Sequence, residues 1–257
     1  MSFYARHERA ILGASAVLAT LAAWEAVGRA RLVNPIFISS PTAVFHAGLE
    51  MARSGELAAH LSVSGVEFGV GYLVAVLTAV PLGLWAGWHR RADFVLEPFL
   101  ATFNATPRVA LLPVIVLWAG VGLLSKVAVV ALGAFFPVCI NTIAGVKTVD
   151  AAHVRLAQSF RAGKARIFRT IVFPSSLPFI LAGLRLGVGR ALVGVVVAEL
   201  FAASAGIGFL IAIAGSTFQT DRVFVGIAIL AAFGVALNEA LSRLERRFER
   251  WRPRVQA

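Results

Sequence analysis

The sequence is short of charge, of cysteine and of any clustered set of metal ligands, and each shortage closes off a class of function. Only 14% of the residues are charged, against about 25% in an average soluble domain. With 59% hydrophobic residues and a mean hydropathy of +0.83, there is too little polar surface to coat a globule in water. A polytopic membrane protein is the expected class. The one cysteine, Cys139, lies in an apolar run, which excludes an intrachain disulfide and a cysteine metal cluster and leaves a packed core thiol. Histidines at 7, 46, 60, 89 and 153 form no HExxH pair, so no two imidazoles share a helical face around zinc. No phosphate-binding GxxxxGK(S/T) loop is present either, because Gly163-Lys164 is followed by Ala165 and lacks the upstream glycine. Acidic residues are scarce as well, 13 against 24 Lys+Arg, and the resulting +11 invites a nucleic-acid reading. The placement of those charges decides against it.

A helix that crosses a bilayer needs about 20 mostly apolar residues, since every backbone amide must be satisfied internally. Six stretches meet that need: 10–28, 68–88, 98–124, 127–146, 175–198 and 223–241. The first reads as an uncleaved signal anchor, because no convincing small-residue cleavage site follows it. With a cytoplasmic N-terminus, the inside collects Arg6, Arg9, Arg90, Arg91, the six basic residues from Lys147 to Arg169, and six arginines of the tail. Only Arg29, Arg31, Arg53, Lys126 and Arg222 fall outside. That bias is the positive-inside pattern, so both termini are expected in the cytoplasm and the +11 is an orientation signal with some anionic-lipid contact. No nucleic-acid partner is expected.

Residues 200–220 form a seventh uncharged stretch. A further crossing would carry the arginine tail outside, and the stretch holds Ser204, Gly206, Gly208, Gly215, Ser216 and Thr217. It is therefore read as a re-entrant or interfacial segment beside a gate. The external segment 33–60 reads as a surface helix along the membrane, with Thr42 as its cap.

The longest polar segment lies between the fourth and fifth spans, roughly Lys147 to Thr170. Val149, Ala152, Leu156, Ala157 and Phe160 recur at helical spacing, with Asp150 placed to cap. Ile167, Phe168 and Ile171 make a second stripe after a turn at Arg161-Ala162-Gly163. Two short amphipathic helices are predicted, either coupling to a partner or covering the bundle as an inert linker.

The stretch from Lys147 to Gly208 resembles the signature region of ATP-binding-cassette (ABC) transporter permeases of the nitrate, sulfonate and taurine class. That family carries a cytoplasmic signature of an acid, two small residues, a glycine four positions on, then an apolar residue and Leu-Pro. Ala157 falls on the second small residue, Ile171 on the apolar position, and Phe173-Pro174 on Leu-Pro. Pro178, Gly183-Leu184-Arg185, Glu199 and Gly206-Ile207-Gly208 also match, as do Thr106-Pro107-Arg108, Leu112-Pro113, Gly120-Val121-Gly122 and Ser125-Lys126 nearer the middle. Two positions depart: Arg155 stands in place of the acid and Arg161 in place of the turn glycine. An arginine tolerates positive φ poorly, so Gly163 is expected to supply the turn.

The resemblance implies an all-α integral membrane protein of about six transmembrane helices with the type I ABC importer permease fold, in the bacterial inner membrane. Residues 1–62 would be an anchor helix with an external amphipathic segment, and 63–257 the permease core with its coupling loop at 147–174. It implies no enzyme activity and no cofactor in the chain itself. ATP would be bound by two cytoplasmic ATPase subunits, with a second permease copy and an extracytoplasmic solute-binding protein completing the assembly. Arg155, Ala157, Arg161, Gly163, Ile171 and Pro174 would form the ATPase-coupling loop. Arg108, Arg190, Glu199, Gly206 and Gly208 are the candidates for the pathway or gate. A charge at membrane depth costs about 2.5–3.5 kcal/mol on insertion scales. Such a residue therefore faces a cavity, pairs with a partner, or snorkels to the interface, as Arg185 and Arg190 could. Arginines facing the pathway would favour a small anionic solute such as a sulfonate, taurine or nitrate. The competing class, an ion-coupled secondary transporter, calls for an inverted repeat and coupling carboxylates, and neither is evident.

Overall fold

The structure, a computed structural model, describes residues 3–30, 32–34 and 36–248. The chain builds α1 (Phe3–Arg29), α2 (Pro41–Arg53), α3 (Glu56–Trp88), α4 (Arg90–Ala105) and α5 (Leu112–Ala119). It continues with α6 (Leu123–Lys147), α7 (Ala151–Ser159), α8 (Lys164–Ile167), α9 (Phe173–Ala202), α10 (Ile207–Ser216) and α11 (Thr220–Phe248). Among the described residues, five helices are long and apolar enough to cross a membrane, and the bent pair 90–105 with 109–119 makes a sixth if counted as one span.

α3, α6 and α9 form the centre of the bundle. Lipid tails are as apolar as leucine, so association here rests on close backbone approach by small residues rather than on burial from water. A Cβ on Gly71 would stand 2.6 Å from the Val130 Cβ, and one on Gly83 at 2.6 Å from the Thr142 Cβ. Phe68, Ala75, Val130, Ala134, Val188, Ala191 and Val195 fill the resulting core. Cys139 is fully buried beside Ala79 and Val138, a packed thiol as its apolar run implies.

The helices alternate between two ends. Trp88 meets Phe168 edge-on at 5.7 Å, Lys147 pairs with Asp93 at 2.6 Å, and Arg185 pairs with Glu245 at 3.1 Å. These contacts define the loop end. At the opposite end Arg222 pairs with Glu56 at 3.0 Å, and the Trp24 Nε1 donates to the Ser39 carbonyl at 2.7 Å. The start of α1 and the end of α11 therefore lie at the loop end together.

Four sequence expectations change. The third span is not one helix over 98–124: α4 stops at Ala105, a 3₁₀ turn covers Arg108–Leu111, and the halves are bent by 90°. Pro107 and Pro113 lack the amide protons a continuous helix would need there. The fifth span starts eleven residues before Ser175, because Lys164–Phe201 is one 38-residue rod in which α8, a π turn at Phe168–Val172 and α9 stack end to end. Pro174 explains the π turn, since its ring clashes with the carbonyl four residues back and its missing N–H forces a wider register. α3 likewise begins at Glu56, so its 33 residues run through positions 62 and 63 without a break. Finally, α2 is docked rather than free. Met51 is 1% exposed in a cluster with Ile207, Leu210 and Val225. Its cap is Ser40, whose Oγ accepts from the Ala43 amide, while the Thr42 N–H and hydroxyl both donate to Glu25.

Candidate functional site

Three groups of residues hold the chemistry, at the loop end, at the opposite end, and at the break between α4 and α5.

At the loop end, Asp150 caps α7 by accepting from the Ala152 amide at 2.7 Å, as expected. The predicted stripe divides between two faces. Val149, Val154 and Ala157 pack toward Val146, Ile167 and Val172, together with Ile171. Leu156 and Phe160, at (i, i+4) on the other face, are 58% and 80% exposed. The turn differs from expectation: Arg161 itself takes φ 54°, and Gly163 sits at φ −67° as the cap of α8. The Ala162 amide donates to the Ala157 carbonyl and the Arg161 amide to the Gln158 carbonyl, a Schellman ending with arginine at the left-handed position. Arg155 and Arg161 are exposed. Pro174 is half-buried in the first turn of α9, directly after the π turn.

At the opposite end, Glu199, Gly206 and Gly208 come together. The Glu199 carboxylate is 1% exposed; its Oε1 accepts from the Ser64 hydroxyl and its Oε2 from the Gly208 amide, both at 2.6 Å. Ser64 Oγ accepts in turn from the Ile207 amide at 2.8 Å, and the His60 Nδ1 from the Gly206 amide at 3.1 Å. The first amides of α10, which have no intrahelical partner, are thus met by side chains of α3 and α9. A carboxylate at a helix N-terminus also meets the positive end of its dipole. Gly206 is at φ 120° with no room for a side chain: an added Cβ would fall 2.3 Å from the Glu199 carboxyl carbon. A Cβ on Gly208 would meet the Val196 carbonyl at 2.7 Å.

The α10 segment itself is ten residues, about 15 Å long, half the hydrocarbon thickness. Ser64 and His60 were not among the candidates from sequence; a single hydroxyl and a single imidazole on a long apolar helix carry no motif. Glu67 was missed for the same reason, and Lys126 was noted only within the Ser125-Lys126 match and as an external charge. Their side chains, 3% and 8% exposed, pair at 2.5 Å across α3 and α6, and Glu67 Oε2 is buried with no hydrogen-bond partner among the described residues. Lys126, read from sequence as an external loop charge, is a core residue.

At the break, Arg190 lines a cavity of about 290 Å³ with Asn104, Thr106, Pro107, Val129, Gly133, Val193 and Gly194. Its side chain is exposed and makes no hydrogen bond or ion pair with any described residue. Arg185, by contrast, is matched by Glu245 toward the loop end. Arg108 opens the 3₁₀ turn, and its side chain lies outside the described residues, as do Arg250, Arg252 and Arg254 of the tail.

Residues 79–250 match the family of binding-protein-dependent transport system inner membrane components. The chain is 35% identical to an aliphatic sulfonates transport permease protein, SsuC, of Bacillus subtilis, over 90% of its own length and 84% of the relative's. It is 35% identical to the taurine transport system permease protein TauC of Escherichia coli, over 95% of this chain and 90% of that one. It is also 30% identical to the formylaminopyrimidine transport permease protein ThiX of Halalkalibacterium halodurans, over 89% and 91%. A crystal structure of an amino acid ABC transporter with histidines shares the fold at a TM-score of 0.55 and 20% identity, covering 79% of this chain and 97% of that chain. The secondary-transporter alternative falls with this result, and the chain belongs to the family of binding-protein-dependent inner membrane components: it is a multi-pass permease subunit of an ABC importer, not an enzyme.

Proposed function

We propose that two copies of this chain form the translocation pathway for a small anionic solute of the sulfonate, taurine or nitrate type. Two cytoplasmic ATPase subunits bind the ATP, and an extracytoplasmic binding protein delivers the solute. The loop end faces the cytoplasm, with both termini there. Arg90, Arg91, Lys147, Arg155, Arg161, Lys164, Arg166, Arg169, Arg243, Arg246 and Arg247 all belong to that end, in keeping with the positive-inside bias.

The observation that carries the coupling role is the division of α7 into two faces. One face is fixed to the bundle, and the other leaves Leu156 and Phe160 largely exposed among the described residues. Exposed apolar anchors on a positioned helix are what a partner groove can grip. Arg155 and Arg161 beside them make the helix basic where the family signature carries an acid and a glycine, so the ATPase groove is more acidic than the family's usual one. Ile171 and Pro174 tie this helix to the long rod of α9, through which ATPase motion would reach the opposite end. There the Glu199, Gly206 and Gly208 cluster holds α10 as part of the gate. In this reading 1–62 is the anchor with its docked α2, and 63–257 the transporting core, including the 147–174 loop.

Co-purification with the ATPase tests the docking surface. Phe160→Ala and Arg155→Glu should each lower recovery of the complex by about tenfold or more while leaving the permease's own thermal midpoint in place. Recovery equal to that of the unchanged chain would refute the assignment. Uptake by this chain alone in proteoliposomes, driven only by an ion gradient, would refute the permease-subunit mechanism altogether.

A further inference from the structure

Three cations away from the basic loop are neutralised within the chain: Lys126 by Glu67, Arg185 by Glu245 and Arg222 by Glu56. Arg190 stands apart. It lies about 16 Å along α9 from Phe201, in the interior of the 38-residue rod and not at either end, and it has no described partner. Among the described residues no carboxylate lines its cavity. The recess exists because the chain breaks beside it: α4 ends at Ala105, and the backbone turns away at Pro107. On the other wall Gly133 and Gly194 let α6 lie directly on α9. An added Cβ at Gly133 would meet the Arg190 carbonyl at 2.9 Å, and one at Gly194 the Val129 carbonyl at 3.3 Å. A guanidinium that opens into a recess without a counter-ion among the described residues can take one from outside the chain, and its planar fork suits two oxygens of one oxyanion. At about 290 Å³ the space lies at the small end of ligand sites, which run roughly from 300 to 1,000 Å³.

We propose that this cavity is an oxyanion-coordinating station on the translocation path, in which Arg190 receives the charged head of a sulfonate-type solute. The assignment rests on the transport role proposed above and gives its substrate preference a residue. Relatives of similar identity carry names for chemically different solutes, so a feature of this kind, not membership of the family, would set the choice.

Two measurements test it. In proteoliposomes containing the permease with its ATPase and binding protein, Arg190→Gln should lower ATP-driven uptake of radiolabelled ethanesulfonate at least tenfold. Binding-protein-stimulated ATP hydrolysis should be retained, and Arg190→Lys should recover part of the uptake. Uptake equal to the unchanged complex, or loss of ATP hydrolysis together with uptake, overturns the proposal. The second readout is independent of transport. Val193 lines the cavity and is 59% exposed, while the native Cys139 is 0% exposed. Val193→Cys should therefore react faster with an anionic thiosulfonate than with a cationic one, and ethanesulfonate should slow the reaction. Adding Arg190→Gln should cut the anionic preference about tenfold and abolish the protection. An anionic preference unchanged by Arg190→Gln overturns the site. If the unchanged complex shows no ATP-driven uptake at all, the transport role fails while the labelling result still decides the site.

Discussion

Gly206→Ala offers the sharpest check on the Glu199 cluster, because two separate penalties meet at one atom. The residue sits at φ 120°, ψ 166°, a backbone region essentially restricted to glycine, in which another residue costs about 1–3 kcal/mol. The new Cβ would also fall 2.3 Å from the Glu199 carboxyl carbon and its Oε1, so the carboxylate must move. Moving it breaks at least one of the bonds from Ser64 and Gly208, and a bond to a charged group is worth about 1.5–3 kcal/mol. Together the loss comes to about 2.5–6 kcal/mol. Gly215→Ala is the matched control on the same helix: nothing lies within 4 Å of its Cβ position, and removing a helical glycine gains up to about 1 kcal/mol. The assay is the thermal midpoint of the detergent-solubilised permease, followed by monodispersity after heating. Gly206→Ala should drop it on the order of 10 °C, and Gly215→Ala should leave it unchanged or raise it slightly. Equal midpoints for the two variants would mean that the capping cluster does not hold α10 as described.

Arg161→Gly should act in the opposite direction. Relief of the left-handed strain, about 1–2 kcal/mol, exceeds the extra unfolded-state entropy of glycine, about 0.4–1 kcal/mol. The Arg161 and Ala162 amides should then exchange roughly 2- to 5-fold more slowly, and unchanged or faster exchange would count against the Schellman ending. Lys126→Met leaves Glu67 charged and buried without its partner and should destabilise the permease by about 3–5 kcal/mol. The double variant with Glu67→Gln should recover most of that in the same thermal assay; a double variant no better than the single one would show that the pair is not what stabilises the contact between α3 and α6.

The failures of sequence reading have distinct physical causes. The third span reads as continuous because hydropathy averages over Pro107 and Pro113, whereas the backbone responds to each missing amide. Arg161 shows the reverse: propensity disfavours arginine at positive φ, but α7 ends where its packed face ends, and the packing of Val154 and Ala157 outweighs a local cost of about 1–2 kcal/mol. The stripe through Leu156 and Phe160 was visible as apolar spacing. Which apolar face met the bundle was not, because α7 has apolar residues on both.

By itself the sequence determined the class, the family and a fold of about six spans, because membrane insertion reads local composition and a family signature is a run of neighbours in the chain. The Glu199–Gly206–Gly208 association was partly legible, since those residues lie close in sequence, but Ser64 and His60 come from a helix well over a hundred residues earlier. The pairing of charges was decided only by the tertiary structure. Whether a lone Glu67, Lys126, Arg185 or Arg190 on an apolar helix is matched or left open depends on which helices touch and at what height. That depends on where glycines allow two backbones to meet. Three of those four charges found partners in the chain, and the fourth, Arg190, faces the cavity at the helix break.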